Sequence, residues 1–307
     1  MPELPDIEDY LAALRPRVRG SLLQAVRITG FSVLKTFDPP LEATHGQTVV
    51  ALSRLGKRLV FELSPDDAVL PPPDQQLFLV LHLMVAGRLA WKDTPGAPVP
   101  KKVGLAAFDF SSGTLLLREA STKKRASLHV LRGRDALAAH DRGGIDPLTS
   151  DLAAFTAALT MQNRTVKRAL TDPRVLSGIG NAYSDEILLH AGLSPVRHTH
   201  KLDDAELARL HATTQRVLQE WTDRLRAETG EGFPGNVTAF RDDFAAHGRY
   251  GKPCPVCATP IQRIRYADNE TNYCPTCQNG GRVLADRSLS RLLKDDWPRT
   301  VDELEGA

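Results

Sequence analysis

A chain of 307 residues, 42% hydrophobic and 25% charged, is long enough for two or three globular units with cores of their own. A formal net charge of +2 excludes a polycation that holds nucleic acid by bulk charge, so any such surface has to be a local arrangement. No stretch approaches the ~18 uninterrupted apolar residues of a membrane span, and the acidic, Pro-containing start lacks the basic and apolar regions of a secretory signal, so a cytoplasmic protein with no membrane partner is expected.

The chain opens Met1-Pro2-Glu3-Leu4-Pro5. A proline behind the initiator methionine permits its removal, exposing a secondary amine whose pKa lies near that of an α-amino group, about 8. Such an amine is a nucleophile that can attack an aldehyde or sugar carbon to form an iminium, and Glu3 places a carboxyl group beside it for proton transfer. Taken alone, Pro2 and Pro5 read first as residues that stiffen an extended entry into a helix. Ile7, Leu11, Leu14 and Val18 then recur at helical spacing. From Leu22 to about Val130 the period changes to short β-rich runs, including 48–52, 59–63, 77–83, 105–110 and 114–117, separated by Gly, Pro and Asp clusters. That pattern predicts a β-sandwich or flattened barrel, with surface loops at 66–76 and 93–102.

Around 141–147 the composition turns to Gly and Asp, and helical periodicity then dominates to about Ala227. A helix ending near 165–170 is broken at Asp172-Pro173; Gly178-Ile179-Gly180-Asn181 makes a turn; a second helix over 182–191 is closed by Gly192. A helix, a Gly-x-Gly turn and a second helix can offer backbone amides to a phosphate, although the same four residues also read as a tight turn and nothing more. All four cysteines fall at Cys254, Cys257, Cys274 and Cys277, two C-x2-C knuckles sixteen residues apart, each carrying a turn-forming proline. In a cytosolic chain this spacing favours one structural Zn2+ held by four thiolates over a redox pair or a disulfide staple. A basic segment over 282–297 closes the chain. The fold class is therefore α+β: an N-terminal β-sandwich with a flanking helix over 1–145, a helical domain over 146–240, a zinc-finger hairpin over 241–285 and a tail over 286–307.

Three elements stand in order: the N-terminal PELP, the GIGN helical turn, and CxxC…CxxCQ with Gly248-Arg249-Tyr250-Gly251-Lys252-Pro253 leading into it. Together with Lys57 they resemble the Fpg/Nei family of DNA glycosylase/AP lyases over nearly the whole chain. The resemblance implies a helix-two-turn-helix region, damaged double-stranded DNA bound in a cleft between domains, a monomer, and base excision followed by strand nicking. Pro2 would attack the anomeric carbon of the damaged nucleotide and leave a Schiff base to the opened sugar; Glu3 would protonate the ring oxygen. Lys57, in the Gly56-Lys57-Arg58 turn, would contact phosphate near the lesion, and Lys167 and Asn181 would hold phosphates from the helical turn. Lys123-Lys124-Arg125 stands where the family carries its duplex-probing loop, though such a cluster is also an ordinary solvated face.

The chain departs from the family pattern at several points. His82-Leu83-Met84-Val85-Ala86-Gly87 places Val85 at the position of the wedge methionine, and Arg125 takes the place of a phenylalanine. The segment from Thr238 to Phe244 is short where 8-oxoguanine enzymes have a long capping loop, and Asn269 stands where the family has a phosphate-clamping arginine, a bidentate role asparagine cannot fill. Arg263, Arg265 and Arg282 are the alternatives. These departures lead to the expectation of a divergent branch acting on oxidised pyrimidines or abasic sites, in duplex or single-stranded DNA. A non-catalytic damaged-DNA-binding zinc protein is the rival reading.

Overall fold

The computed structural model describes residues 1–65, 71–266, 269–286 and 298–305; of the predicted loop 66–76 the stretch 66–70, and of the closing segment 282–297 the stretch 287–297, lie outside them. The chain forms two compact units, Met1–Arg142 with Trp221–Thr238, and Gly143–Glu220 with Ala239–Ala307. The sequence reading also divided the chain near 145 but ran the helical domain on to 240.

In the first unit, α1 (Leu4–Val18) buries Ile7, Leu11, Leu14 and Val18 completely, the stripe its spacing predicts. Eight strands follow: β1 (Leu22–Ile28), β2 (Gln47–Leu55), β3 (Arg58–Ser64), β4 (Leu77–His82), β5 (Gly87–Lys92), β6 (Gly104–Phe110), β7 (Gly113–Glu119) and β8 (Ser127–Arg132). They form one antiparallel sheet in the order β5-β7-β6-β1-β2-β3-β4-β8. Phe61 of β3 stacks on Phe108 and Phe110 of β6 with ring centroids 6.4 Å apart, although three strand spacings separate them in the sheet. Flat strands about 4.8 Å apart would hold them at roughly twice that distance, so the sheet folds over on itself as a sandwich, and α1 packs into the apolar interior. The outer face of β3, β4 and β8 has a second, small core, in which α2 (Arg134–Ala138) lays Ala136 and Leu137 on Val60, Phe78, Val80 and Leu131.

The return segment belongs with the sheet because its polar groups find partners there. Arg226 pairs with Glu8 at 2.9 Å, Thr229 Oγ1 donates to Asp9 Oδ2 at 2.9 Å, and Arg17 donates to the Glu231 carbonyl at 2.6 Å. Glu8 also binds Arg54 at 2.8 Å, so this single carboxylate ties α1 to β2 as well.

The second unit holds α3 (Leu152–Thr160), α4 (Val166–Thr171), α5 (Asn181–Ala191) and most of α6 (Asp204–Thr229). Asp151 caps α3 by accepting from the Ala154 amide at 2.8 Å. α4 stops at Asp172, as the following proline requires, and Gly192 closes α5 at φ +64°. No residue of 230–261 forms a helix or strand. Its course over 245–247 is fixed from α5, where the buried Glu186 carboxylate accepts the amides of Ala245, Ala246 and His247 at 2.8–2.9 Å. The hairpin of β9 (Gln262–Tyr266) and β10 (Asn269–Tyr273) and the short α7 (Pro275–Asn279) complete the unit. No helix among the described residues is long and apolar enough to cross a membrane.

Candidate active site and nucleic-acid interface

The N-terminus of α1 is where ionisable groups converge. Pro2 is buried and Glu3 is 3% exposed. Asp6, in the first helical turn, accepts from the Glu3 amide at 2.8 Å and so fixes the direction in which the chain enters the helix. Burial lowers the pKa of the terminal ammonium; the carboxylates of Glu3 and Asp6 oppose that shift, and the cations Arg88 and Lys57 reinforce it. Lys57 reaches the same place from the β2–β3 hairpin, whose two-residue loop is made possible by Gly56 at φ +61°. Its pKa is lowered, chiefly by burial, with Glu3 and Asp6 pulling the other way. Pro2, Glu3 and Lys57 are thus brought together, with Asp6 and Arg88 as two further members that the sequence did not reveal. Arg88 comes from β5 and is locked by its guanidinium, which donates to the carbonyls of Val237 (2.5 Å), Gly87 (2.7 Å) and Val85 (3.1 Å).

The turn before β5 is the wedge position of the sequence reading. Val85 is 56% exposed at its tip, and Met84 adopts φ +53°. A side chain at Gly87 would meet the Leu83 carbonyl oxygen at 2.2 Å, so the turn closes only with glycine there. Gly87 pairs with Glu119, which sets the loop carrying Lys123, Lys124 and Arg125 beside this turn. Glu119, 1% exposed, accepts the amides of Arg125 (2.9 Å) and Ala126 (3.1 Å), and the Lys124 ammonium donates to its carbonyl. The Lys123 and Arg125 side chains are exposed.

In the second unit the helical turn is rigid and internally neutralised. Lys167 of α4 donates to the Asn181 carbonyl and Ser184 Oγ, each at 3.1 Å, and forms an ion pair with fully buried Asp185. All three ammonium protons are thereby committed. Asp185 also binds His247 Nδ1 at 2.7 Å. The Asn181 side chain donates to the Glu270 carbonyl at 2.7 Å, joining the start of α5 to the zinc-finger hairpin. On that hairpin Asn269 is exposed, the Arg263 guanidinium lies 4.1 Å over the Tyr250 ring, and the Arg265 side chain, 60% exposed, stands 3.9 Å from Glu270.

The four cysteine sulfurs lie within 4.8 Å of one another, with Cys257 and Cys274 Sγ at 3.4 Å and Cys254 and Cys277 Sγ at 4.0 Å. A tetrahedral zinc with Zn–S of about 2.3 Å spaces its sulfurs by roughly 3.8 Å, so the donor set fits. Burial pushes the Cys274 thiol up to about 11, whereas at Cys257 burial is outweighed by hydrogen bonds from Thr259 and the neighbouring thiols, which bring it down to about 6. Four protein ligands close the site, which makes the zinc structural.

Three family models match the chain in order: the formamidopyrimidine-DNA glycosylase N-terminal domain over residues 1–126, the formamidopyrimidine-DNA glycosylase H2TH domain over 144–227, and the zinc finger found in FPG and IleRS over 251–280. The formamidopyrimidine-DNA glycosylase of Symbiobacterium thermophilum is 32% identical over 290 residues, covering 91% of this chain and 89% of that protein. The chain belongs to the formamidopyrimidine-DNA glycosylase family. The Geobacillus kaustophilus glycosylase is 33% identical and is covered in full. An uncharacterised glycosylase-like protein of Mycobacterium tuberculosis is 44% identical over 150 residues, 49% of this chain and 91% of that one. Among solved structures, the Lactococcus lactis Fpg complexed with DNA containing an oxidised pyrimidine matches with TM-score 0.76 and 25% identity, covering 91% of this chain and all of that one. The α+β class, the zinc site and the expectation of DNA as partner accord with this family.

Proposed function

We propose that the chain is a bifunctional DNA glycosylase/AP lyase that excises oxidised bases through a Schiff base with Pro2. The setting of the N-terminus carries this reading: Pro2 is buried at the entry to α1, with Glu3 beside it and Lys57 and Arg88 as flanking cations whose charge is felt at the chain terminus. Once Met1 is removed, the unprotonated Pro2 nitrogen attacks C1′ of the damaged nucleotide. The glycosidic bond breaks with its electron pair leaving on the base, which takes up a proton. Glu3 protonates the ring oxygen, the sugar opens, and an iminium joins Pro2 to C1′. Loss of a C2′ proton then expels the 3′ phosphate by β-elimination, and water releases the amine. The base must leave the helix stack first, at the expense of a few kcal/mol that damage lowers. Lys57 holds the phosphate next to the flipped nucleotide. Asn181 and the amides at the start of α5 hold the strand further along, while Lys167 keeps that turn in shape from behind.

Borohydride reduction is expected to trap a covalent complex with abasic-site DNA that maps to Pro2. Trapping by Pro2→Gly should fall by orders of magnitude. Equal trapping by that variant, or an intact mass that retains Met1 in active protein, would refute the assignment. Nicking of an abasic oligonucleotide separates this reading from a non-catalytic damage-binding protein, and oxidised-pyrimidine duplexes are the first base substrates to test.

A further inference from the structure

The zinc-finger family match ends at residue 280, and the chain beyond it is described over 281–286 and 298–305. Both stretches are bonded to the elements that carry the cysteines. Two consecutive glycines, Gly280 at φ +59° and Gly281 at φ +79°, turn the chain sharply after α7. The Gly281 amide then donates to the Pro275 carbonyl at 3.0 Å. Arg282 is held by Asn279, whose carbonyl accepts the Arg282 amide at 3.2 Å and whose side chain donates to the Arg282 carbonyl at 2.8 Å. Further on, the Leu284 amide donates to Tyr273 Oη at 2.7 Å, and Asp286, 2% exposed, accepts the Arg265 amide at 2.7 Å. Residues 281–286 thus form a strap that runs from the end of α7 back to β10 and β9.

The strap is itself held by the C-terminal stretch. The Val283 amide donates to the Arg299 carbonyl at 2.9 Å and the Val301 amide to the Gly281 carbonyl at 3.0 Å; between these bonds Arg282 and Thr300 face each other as antiparallel partners. A last short helix, α8 (Val301–Glu305), follows at once. Its start is capped reciprocally: Thr300 Oγ1 accepts the Glu303 amide at 3.4 Å, and the Glu303 carboxylate accepts the Arg299 amide at 2.6 Å. The cap restrains Arg299 and Val301, the two residues whose backbone groups make the ladder.

What this ladder protects is α7. That helix carries Cys277 and is capped by Cys274, whose sulfur accepts the Cys277 amide at 3.4 Å, and it is only five residues long. A single turn of that length does not hold itself in water, so two of the four sulfurs keep their places only while neighbours hold α7. Gln278 anchors its inner side, donating to the Leu193 carbonyl at 2.9 Å and accepting the Cys274 amide at 2.7 Å. The strap anchors its C-terminal end through Pro275 and Asn279. We propose that Arg299–Val301 with α8 is a clip that locks the strap onto α7 and so slows the loss of zinc from Cys274 and Cys277. The clip supplies no metal ligand and lies beyond the family match; it acts by keeping shut the one turn that has to open before either thiolate can leave the metal.

The test follows zinc transfer from the full-length, zinc-loaded protein to an excess of chromogenic chelator. Val301→Pro deletes the N–H that bonds Gly281 and places proline at the first position of a helix, where it is favoured. Val301→Ala trims the side chain and keeps that N–H, and a chain ended at residue 297 lacks the whole clip. Val301→Pro is expected to release zinc about two- to tenfold faster than the parent, the effect of one lost backbone hydrogen bond. The shortened chain should release it faster still, and Val301→Ala at the parent's rate, with the melting transition of the sheet unit unmoved in all three. Release at the parent's rate by Val301→Pro overturns the proposal whatever the shortened chain does. Equal acceleration by Val301→Ala overturns it as well, because the effect would then belong to side-chain packing. If the shortened chain does not fold, the two point variants decide alone, and the readout stands whether or not the protein nicks DNA.

Discussion

The first unit pairs Glu8 with Arg54 and Arg226, but around the N-terminus of α1 and the β2–β3 hairpin it treats charge in the opposite way to the α4–α5 turn of the second. In the first, cations are gathered and left under strain: burial lowers Lys57, Arg58, His82 and the terminal amine from their ordinary values, and the nearby carboxylates only partly offset it. In the second, charges are matched inside the fold: Lys167 with Asp185, Asp185 with His247 and Arg164 with Asp172 at 2.6 Å, while Glu186, although burial raises its pKa, is held by three amides. Groups destabilised in the free protein are stabilised by what binds them, whereas groups already matched give rigidity and no chemistry. Under the proposed mechanism the first unit is the place for reaction and the second a scaffold that presents backbone amides.

The largest effect expected from testing this contrast is metal removal. The zinc cluster shares its small core with Leu189 of α5, Ala246 and Ile261, so stripping the metal frees four thiols and opens that packing together. Structural zinc contributes about 10–16 kcal/mol in isolated fingers. Chelation, or Cys274→Ser, should abolish the hairpin and lower the melting temperature of the second unit while leaving a transition for the sheet unit. A single unchanged melt in protein shown to be metal-free would contradict it.

Next in size is the difference between two lysines. Asp185→Asn strands Lys167 beside His247 in a buried setting and should destabilise by about 3–5 kcal/mol. Lys57→Met removes a charge that its own site disfavours; stability should stay within about 0.5 kcal/mol of the parent or rise, while affinity for abasic-site DNA falls. Urea unfolding of both variants decides the point, and equal losses would erase the distinction between reactive and structural lysines.

Sequence alone could separate these lysines only in part. Lys57 stood out because Gly56 precedes it between two β-patterned runs, and a two-residue hairpin fixes where its side chain emerges. The family resemblance cast Lys167 as a phosphate ligand, and nothing in an eighteen-residue separation announces its partner Asp185; that pairing is made by the turn between α4 and α5. α1, the sheet and the zinc knuckles were legible from periodicity and spacing. Arg88 was not, since its approach to the N-terminus depends on which strands neighbour one another. The return of Trp221–Thr238 to the sheet unit was also hidden, because α6 runs unbroken from Asp204 to Thr229 and its period shows no boundary.

The smallest expected effect concerns acid. A histidine whose pKa drops from 6.5 to about 4 on folding, as for His82 and His129, binds fewer protons in the native than in the unfolded state across that interval. Stability from these groups is therefore complete above about 6.5 and is lost as pH falls toward about 4. The loss should be on the order of 1–3 kcal/mol for His82 and less for His129 and His140, which solvent screens more. Melting temperature should fall between about pH 7 and 5, against a field set by Arg58, Lys57, Lys35 and Arg142 with Asp141 opposing. Substituting asparagine for His129 and His140 should flatten the profile. If the variant keeps the parent's profile, the acid sensitivity originates elsewhere, and the contrast between a strained first unit and a matched second loses its support on the outer sheet face.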